Sequence, residues 1–597
     1  TTQNRVSQEV RVRFSLRPPK IMNLDNLNNL IELFSYQSDK QNKKSIFLQW
    51  LNPNNKKTYT WEETQKNILK LSRIIKENIK EGDRCLLVSE NRPEWFISDM
   101  AIMLSGGITV PAYTTYTEED YKYLIEDCEP SLLIVSNNEM LKKLSNTINE
   151  KEFIKKVITL DELNKVIDNL HIIDEEKYLD FNIILKNNLL KEDKIKNDKL
   201  KRTSPACIIY TSGTGGNPKG VILSHGGILN NLVGACEIMK PLFNSRPVFL
   251  TWLPLSHSYE HCVQFAQIAV GAKVFYAEKI EKLLENISEA KPTIMTAVPR
   301  FYQNLYNKIN INLKKQTGFK AKLINATLRL GKKKLLNQKM TFSEKLLNFI
   351  VEILVRKKIK KQFGGNLKAF VSGGGALDKE IGEFLNSVGL PTLQGYGLTE
   401  TSPVVSCNPI HKIKVETVGP PFRGNQVKIA NDGEILVKGE NVMLGYWNKK
   451  EETDKVIIDG WLHTGDIGEI DPEDGYLKIT DRKKDIIVSA GGDNISPAKI
   501  ENMITNEPEI DQCMVYGDKK NYLVALIVPS KDFLKEKEKI DNVIEKINKK
   551  LTLLEKIKRI QLIDENFSIE NGLMTPTMKV KRKKVTEKYK NQLEKLY

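Results

Sequence analysis

Residues 84–113, RCLLVSENRPEWFISDMAIMLSGGITVPAY, decide the fold class. RCLLVSE (84–90) is a short apolar run that stops at the turn signal Asn91-Arg92-Pro93. A helical pattern follows from Glu94 to Leu104, and GITVPAY (107–113) returns to strand character. Strand, helix, strand at this spacing is a right-handed βαβ unit, with parallel strands covered on both faces. The alternation continues. A helix is expected over Glu118–Asp127. SLLIVS (131–136), KVITL (156–160), ACIIYT (206–211), PVFLTWLP (247–254), AKVFYA (272–277), LKAFVS (367–372) and LPTLQGY (390–396) read as further buried strands. The expected fold is α/β, a large domain of parallel sheets and helices. Such sheets bind ligands in loops beyond the carboxyl ends of their strands, and Gly-rich turns follow the strands near 211, 372 and 394.

Beyond about residue 480 the texture changes. A charged turn, DRKKD (481–485), leads to a helix near 497–506, two strands at 511–517 and 522–528, and Lys-rich helices. This reads as a small α+β domain. The expected division is an N-terminal extension over 1–24, a large domain over 25–481 and a C-terminal domain over 482–597. Residues 308–361 interrupt the large domain as two or three basic helices, with LLNFIVEILV (346–355) the most apolar piece. That segment holds 14 Lys and 2 Arg against Glu344 and Glu352, which leaves +14 of the chain's net +16. Charge gathered in one insertion argues against a protein built to coat nucleic acid. It suits contact with an anionic membrane, with Lys332, Lys333 and Lys334 the densest patch. The chain is 40% hydrophobic and 28% charged, which excludes a disordered or collagen-like protein. No apolar run approaches the roughly 20 residues needed to span a bilayer, and the first residues lack the apolar core of a secretory signal. The seven cysteines are scattered without a CxxC pair, so reduced thiols in a cytoplasmic protein are expected.

The sharpest motif is YTSGTGGNPKG (210–220). Thr211, Ser212, Gly213, Thr214, Gly215 and Gly216 crowd a turn after a strand, where backbone N–H groups form an anion nest and Lys219 adds a full charge. It is not a Walker A loop, because Pro218 stands where that pattern needs Gly. Further on come LPLSHSYEH (253–261), SGGGAL (372–377), GYGLTET (395–401), GWLHTGDIG (460–468), DRKKD (481–485) and TPTMKVKR (575–582).

In this order, over nearly the whole chain, these motifs resemble the adenylate-forming superfamily of acyl-CoA synthetases, luciferases and peptide-synthetase adenylation domains. The block 459–501 and the insertion at 308–361 are similar to those of long-chain fatty acid–CoA ligases. The resemblance implies a distorted β-barrel beside the parallel sheets and a mobile C-terminal domain. It implies ATP, Mg and CoA as partners of a fatty acid. By the same resemblance, the 211–216 turn and Lys219 bind phosphate; Gly374, Gly375 and Ala376, with Gln394, Gly395, Tyr396 and Gly397, hold adenine. Thr399 and Glu400 meet the phosphates, with Glu400 the Mg ligand. Asp466 and Arg482 meet the ribose, His257 lines the acid pocket, Lys484 is the hinge, and Ser489, Ala490, Gly491 and Gly492 line the CoA path. Lys579 is the catalytic lysine, with Lys581 its competitor in a Lys-rich tail; a histidine such as His257, taken outside its motif, is more often a satisfied core histidine.

The chemistry suits those roles. A carboxylate is a poor acyl donor until attack on the α-phosphate of ATP gives it AMP as leaving group. Two anions must then meet, so the site must supply cations. Three departures stand out: Gly215 where a second Thr is usual, Gly375-Ala376 where Ala-Pro is common, and Met578 in place of Gly before the lysine. The alternatives are transfer to an acyl carrier protein, a different carboxylic acid, or a basic membrane-binding protein that has lost catalysis. The Thr399, Glu400, Asp466, Arg482 and Lys579 set disfavours the last.

Overall fold

Arg84–Val88 is a strand buried along four of its five positions because it has parallel neighbours on both edges, Ile108–Ala112 and Leu132–Val135. The helix Pro93–Leu104 connects the first pair, starting at the proline that ends the strand's loop, and every one of its residues is buried. This unit sits in an eight-stranded sheet that runs, in spatial order, from Gly445–Tyr446 through Lys219–Ser224, Pro205–Thr211, Ile108–Ala112, Arg84–Val88, Leu132–Val135 and Lys156–Thr159 to Tyr178–Asp180. The computed structural model describes residues 24–597 apart from 55, 163–174, 189–193, 212–217, 492 and 576–578.

A second eight-stranded sheet is built from Val404–Cys407, Thr392–Gly397, Ala369–Ser372, Ile294–Ala297, Val248–Thr251, Lys273–Tyr276, Ile46–Trp50 and Thr58–Thr60. Its inner pairs are parallel and its two outermost pairs antiparallel. The helices His225–Met239 and Ser258–Ala269 pack between the sheets, and one apolar core runs through both. A third, antiparallel sheet of five strands, Gln426–Ile429, Glu434–Lys438, Ile457–Ile458, Trp461–Ile470 and Leu477–Arg482, supplies the barrel-like element. The expected α/β class holds.

The strand Pro205–Thr211 pairs antiparallel with Lys219–Ser224, with Thr211 opposite Lys219. After the strand Leu477–Arg482, a turn at 483–486 leads to a separate sheet of Ile510–Tyr516, Leu523–Pro529 and Ile557–Leu562 with its own core. The basic segment is helical: Pro299–Lys314, Gly318–Leu335 and Phe342–Val351, the last running on to Lys361.

Candidate active site

Three sheet edges and the small domain converge on one cleft. The third sheet contributes Asp466 and Arg482, which are directly opposed across neighbouring strands, so their side chains meet: Arg482 Nε lies 3.3 Å from Asp466 Oδ1. The other oxygen, Asp466 Oδ2, accepts the Tyr396 hydroxyl at 2.7 Å from the edge of the second sheet. Burial pushes the Asp466 carboxyl above its ordinary value, against Arg482, the Tyr396 hydroxyl and Lys579. Burial and the Asp466 charge push the Tyr396 phenol well up, so it stays a donor.

Tyr396 ends a strand at Gly397. A Cβ there would lie 1.8 Å from the Pro403 carbonyl, so no other residue fits this turn. The chain then coils into a single turn, Thr399–Thr401. Thr399 Oγ1 and Ser258 Oγ are 3.0 Å apart, and Glu400 Oε1 accepts the Tyr446 hydroxyl at 2.9 Å. Tyr446 belongs to the edge strand that pairs with Lys219–Ser224, which brings Lys219 Nζ 4.7 Å from the centre of its ring. Lys219 also pairs with Glu452 at 2.7 Å. A string of cation, phenol and carboxylate thus runs from Lys219 through Tyr446 to Glu400. Ser212, Gly213, Thr214, Gly215 and Gly216 lie outside the described residues, as does Gly492.

His257 caps the helix Ser258–Ala269, its Nδ1 accepting the Tyr259 N–H at 3.2 Å. Burial, with Lys579 acting the same way, pushes its imidazole down to about 4, so it is neutral in ordinary buffers. His257 is thus a helix cap, with the Lys579 charge acting on its imidazole. Lys579 reaches the site from the small domain. Its backbone N–H donates to Thr575 Oγ1 at 3.1 Å, and Thr575 N–H returns a bond to its carbonyl at 2.8 Å, which pinches the loop. Loss of water in the crowded cleft and the Arg482 charge lower the Lys579 amine, against Asp466 and Asp485, although part of its surface remains open. Lys581, by contrast, feels Lys584 and Asp120.

Contacts between the domains hold this arrangement. Arg300 donates to the Asp511 carbonyl at 2.8 Å and to Asp511 Oδ1 at 2.6 Å. Gln303 donates to the Thr505 carbonyl and lies 3.4 Å from Asn506 Oδ1. Lys484 is an exposed residue in the connecting turn. Ser489 is tied to Asp493 within the small domain, through Oγ to Oδ2 at 3.2 Å, beside Ala490 and Gly491. Gly374 has a positive φ of 78°, and Gly375 and Ala376 are exposed beside it. Gln394 is turned inward, its amide donating to the Val415 carbonyl, and Gly395 sits against the Ser406 carbonyl. Sequence reasoning missed Tyr446, Ser258, Glu452 and the Arg300–Asp511 clamp. All act across long sequence separations, and no local pattern marks them.

The chain matches the AMP-binding enzyme family over residues 34–447 and the AMP-binding enzyme C-terminal domain over 484–597. It is 31% identical to the long-chain-fatty-acid–CoA ligase FadD15 of Mycobacterium tuberculosis over 563 residues, 88% of this chain and 89% of that one. It is 31% identical to long-chain-fatty-acid–CoA ligase 5 of Rattus norvegicus over 560 residues, 86% of this chain and 79% of that one. Among solved structures, the anthranilate CoA ligase AuaEII in complex with anthranoyl-AMP superposes with a TM-score of 0.75 at 19% identity, covering 96% of this chain and all of that one. The adenylation domain of a carboxylate reductase from Mycobacterium chelonae also gives 0.75, at 20% identity, covering 98% of this chain and 92% of that one.

Proposed function

The chain belongs to the AMP-binding enzyme family, and from that membership we propose that it is a long-chain fatty acid–CoA ligase. The acid and ATP give acyl-AMP and pyrophosphate; CoA then gives acyl-CoA, AMP and a proton. The observation that carries the mechanism is the joining of Asp466, Arg482 and Tyr396 in one hydrogen-bonded group, with the Glu400–Tyr446 and Thr399–Ser258 contacts.

In the first step the acid's oxygen attacks the α-phosphorus and the bond to the β-phosphate breaks. Negative charge builds on the α-phosphate oxygens. Lys579 is the cation for those oxygens and for the incoming carboxylate, and Lys219 serves the outer phosphates. Asp466 accepts the ribose hydroxyls while Arg482 and the Tyr396 hydroxyl keep its carboxylate aimed. The Tyr396 ring stacks on adenine. Thr399 donates its hydroxyl to phosphate. A neutral His257 lines the acid pocket without adding charge, and Ser489–Gly492 offer a path with small side chains for the CoA arm. Rotation about Lys484 exchanges the two half-reactions.

Glu400 is the residue we assign to Mg. Its carboxylate, the Thr399 hydroxyl and the triphosphate are all hard oxygen donors, the set that magnesium takes. Among the described residues no three His, Cys, Asp or Glu side chains form a resident metal cage, which fits an ion carried in with ATP. Bound there, the ion would neutralise phosphate charge. All seven cysteines are free and buried, which supports a reducing, cytoplasmic setting.

The test is Lys579→Ala. Formation of acyl-AMP should collapse, while supplied acyl-AMP should still be converted to acyl-CoA. Equal loss in both half-reactions would remove Lys579 from the first step.

A further inference from the structure

The helix Phe342–Val351 continues through a π-helical turn, Glu352–Arg356, into Lys357–Lys361. An apolar helix in a globular protein ordinarily turns its apolar stripe inward. This one is inverted. Phe342, Leu346, Phe349, Ile350, Ile353 and Leu354 are all exposed, Phe342 at 87%, Phe349 at 64% and Leu346 at 58%. Spacings of three and four residues put them on one face. Lys345 lies within that stripe, and Lys357, Lys358 and Lys361 extend it, all exposed. Of eighteen exposed large apolar side chains among the described residues, nine fall between 308 and 361.

The opposite face explains why the stripe cannot turn in. Arg356 is buried there, 4% exposed, with Nε donating to the Ser387 carbonyl at 2.9 Å, one terminal nitrogen to the Thr327 carbonyl at 3.1 Å and the other to Asn348 Oδ1 at 2.8 Å. Val351 and Ile359 are buried beside it. The neighbouring helix is fixed equally firmly, since a Cβ on Gly331 would come within 2.4 Å of Ser387 Cα. Rolling the helix over would strand a guanidinium without its acceptors.

The charges sort into two groups. Lys332 pairs with Glu383 at 2.7 Å, and Lys333 and Arg329 share Glu344 at 2.8 and 2.6 Å. Two of the three lysines of the 332–334 patch therefore have acidic partners. The outward lysines are those on the stripe.

An occupant of this face must accept apolar side chains and positive charge together. A nucleic acid would meet the charge and leave the stripe in water. A second copy would set one +14 segment against another. An anionic bilayer surface meets both demands. We propose that the helix 342–361 lies in the headgroup region of an anionic membrane, its apolar stripe at the acyl boundary and its lysines among the phosphates. Among the described residues no helix is long and apolar enough to cross a membrane.

The test is co-sedimentation of the full chain with vesicles of phosphatidylcholine alone or mixed with phosphatidylglycerol, at low and high salt. Neither ATP, acid nor CoA is present, so the outcome does not depend on the ligase reading. The parent protein should bind the anionic vesicles and be only partly released by salt. The triple variant Phe342→Ser, Leu346→Ser, Phe349→Ser should lose binding by at least about tenfold. The variant Lys357→Gln, Lys358→Gln, Lys361→Gln should lose the salt-sensitive share. Activity on detergent-dispersed acid should be unchanged in both, which also reports that they fold. No binding by the parent, complete release by salt, or undiminished binding by the serine variant would overturn the proposal. So would a dimer in vesicle-free sedimentation that the serine variant breaks.

Discussion

Arg300→Ala separates the two half-reactions without touching a group at the reacting atoms. Arg300 starts the helix Pro299–Lys314 and reaches across to the small domain, where one end of its guanidinium meets Asp511 Oδ1 and the other the Asp511 carbonyl. The side chains are 33% and 41% exposed, so the ion pair is discounted to about 0.5–1 kcal/mol. The bond to the carbonyl adds about 0.5–1.5 kcal/mol. Their loss weakens the docked arrangement by about 1–2.5 kcal/mol, a factor of roughly 5–70. An enzyme that passes through two domain arrangements in each turnover keeps them near balance, so occupancy of the docked one should fall by a comparable factor. Single-turnover pyrophosphate release should slow by up to that amount, and conversion of supplied acyl-AMP by CoA should hold or rise. Equal slowing of both steps, or unchanged pyrophosphate release, would refute the link between this contact and adenylation.

Glu400→Gln still accepts the Tyr446 hydroxyl, so the fold should persist while ATP-dependent turnover falls by about a hundredfold or more; near-normal activity measured at saturating Mg and ATP would remove Glu400 as the metal ligand. Lys484→Pro fixes φ in the connecting turn, and separate assays of the two half-reactions should find one preserved and the other lost. His225 is 1% exposed, its Nδ1 accepts the Leu30 N–H at 3.4 Å, and burial pushes it from 6.5 down to about 4. The unfolded chain therefore takes its proton first, and His225 should withdraw about 2–3 kcal/mol of stability as pH falls from 6.5 to 4. Urea midpoints measured across that range should show the slope, and His225→Gln should flatten it.

The parallel sheets were legible because strands buried on both faces write themselves as unbroken apolar runs, as at 84–88 and 132–135. The third sheet was not. Within this strand, Trp461–Gly468 alternates between half-exposed and buried positions, yet its four buried residues are Leu462, Thr464, Asp466 and Gly468. A functional carboxylate and a glycine occupy places that aliphatic residues would normally mark, so the strand's period is invisible in hydropathy. The same holds for the site. Motif residues such as Tyr396, Glu400 and Asp466 could be named from sequence. Some partners could not: Glu452 pairs with Lys219 from 233 residues away, and Ser258 meets Thr399 from 141 away. The apolar run at 346–355 was visible in sequence, but its outward orientation was not: that is fixed by the buried Arg356 on the other face, a long-range contact with Ser387.

The central claim is that this cleft makes an acyl-adenylate. Its most direct test is exchange of labelled pyrophosphate into ATP by the parent protein, in the absence of CoA, over a series of fatty acids of increasing length. Exchange that depends on the acid and is strongest with long-chain acids, followed by acyl-CoA and AMP in equal amounts once CoA is added, is the predicted result. Acid-independent exchange, or acyl-CoA formed with release of ADP and phosphate, would contradict it.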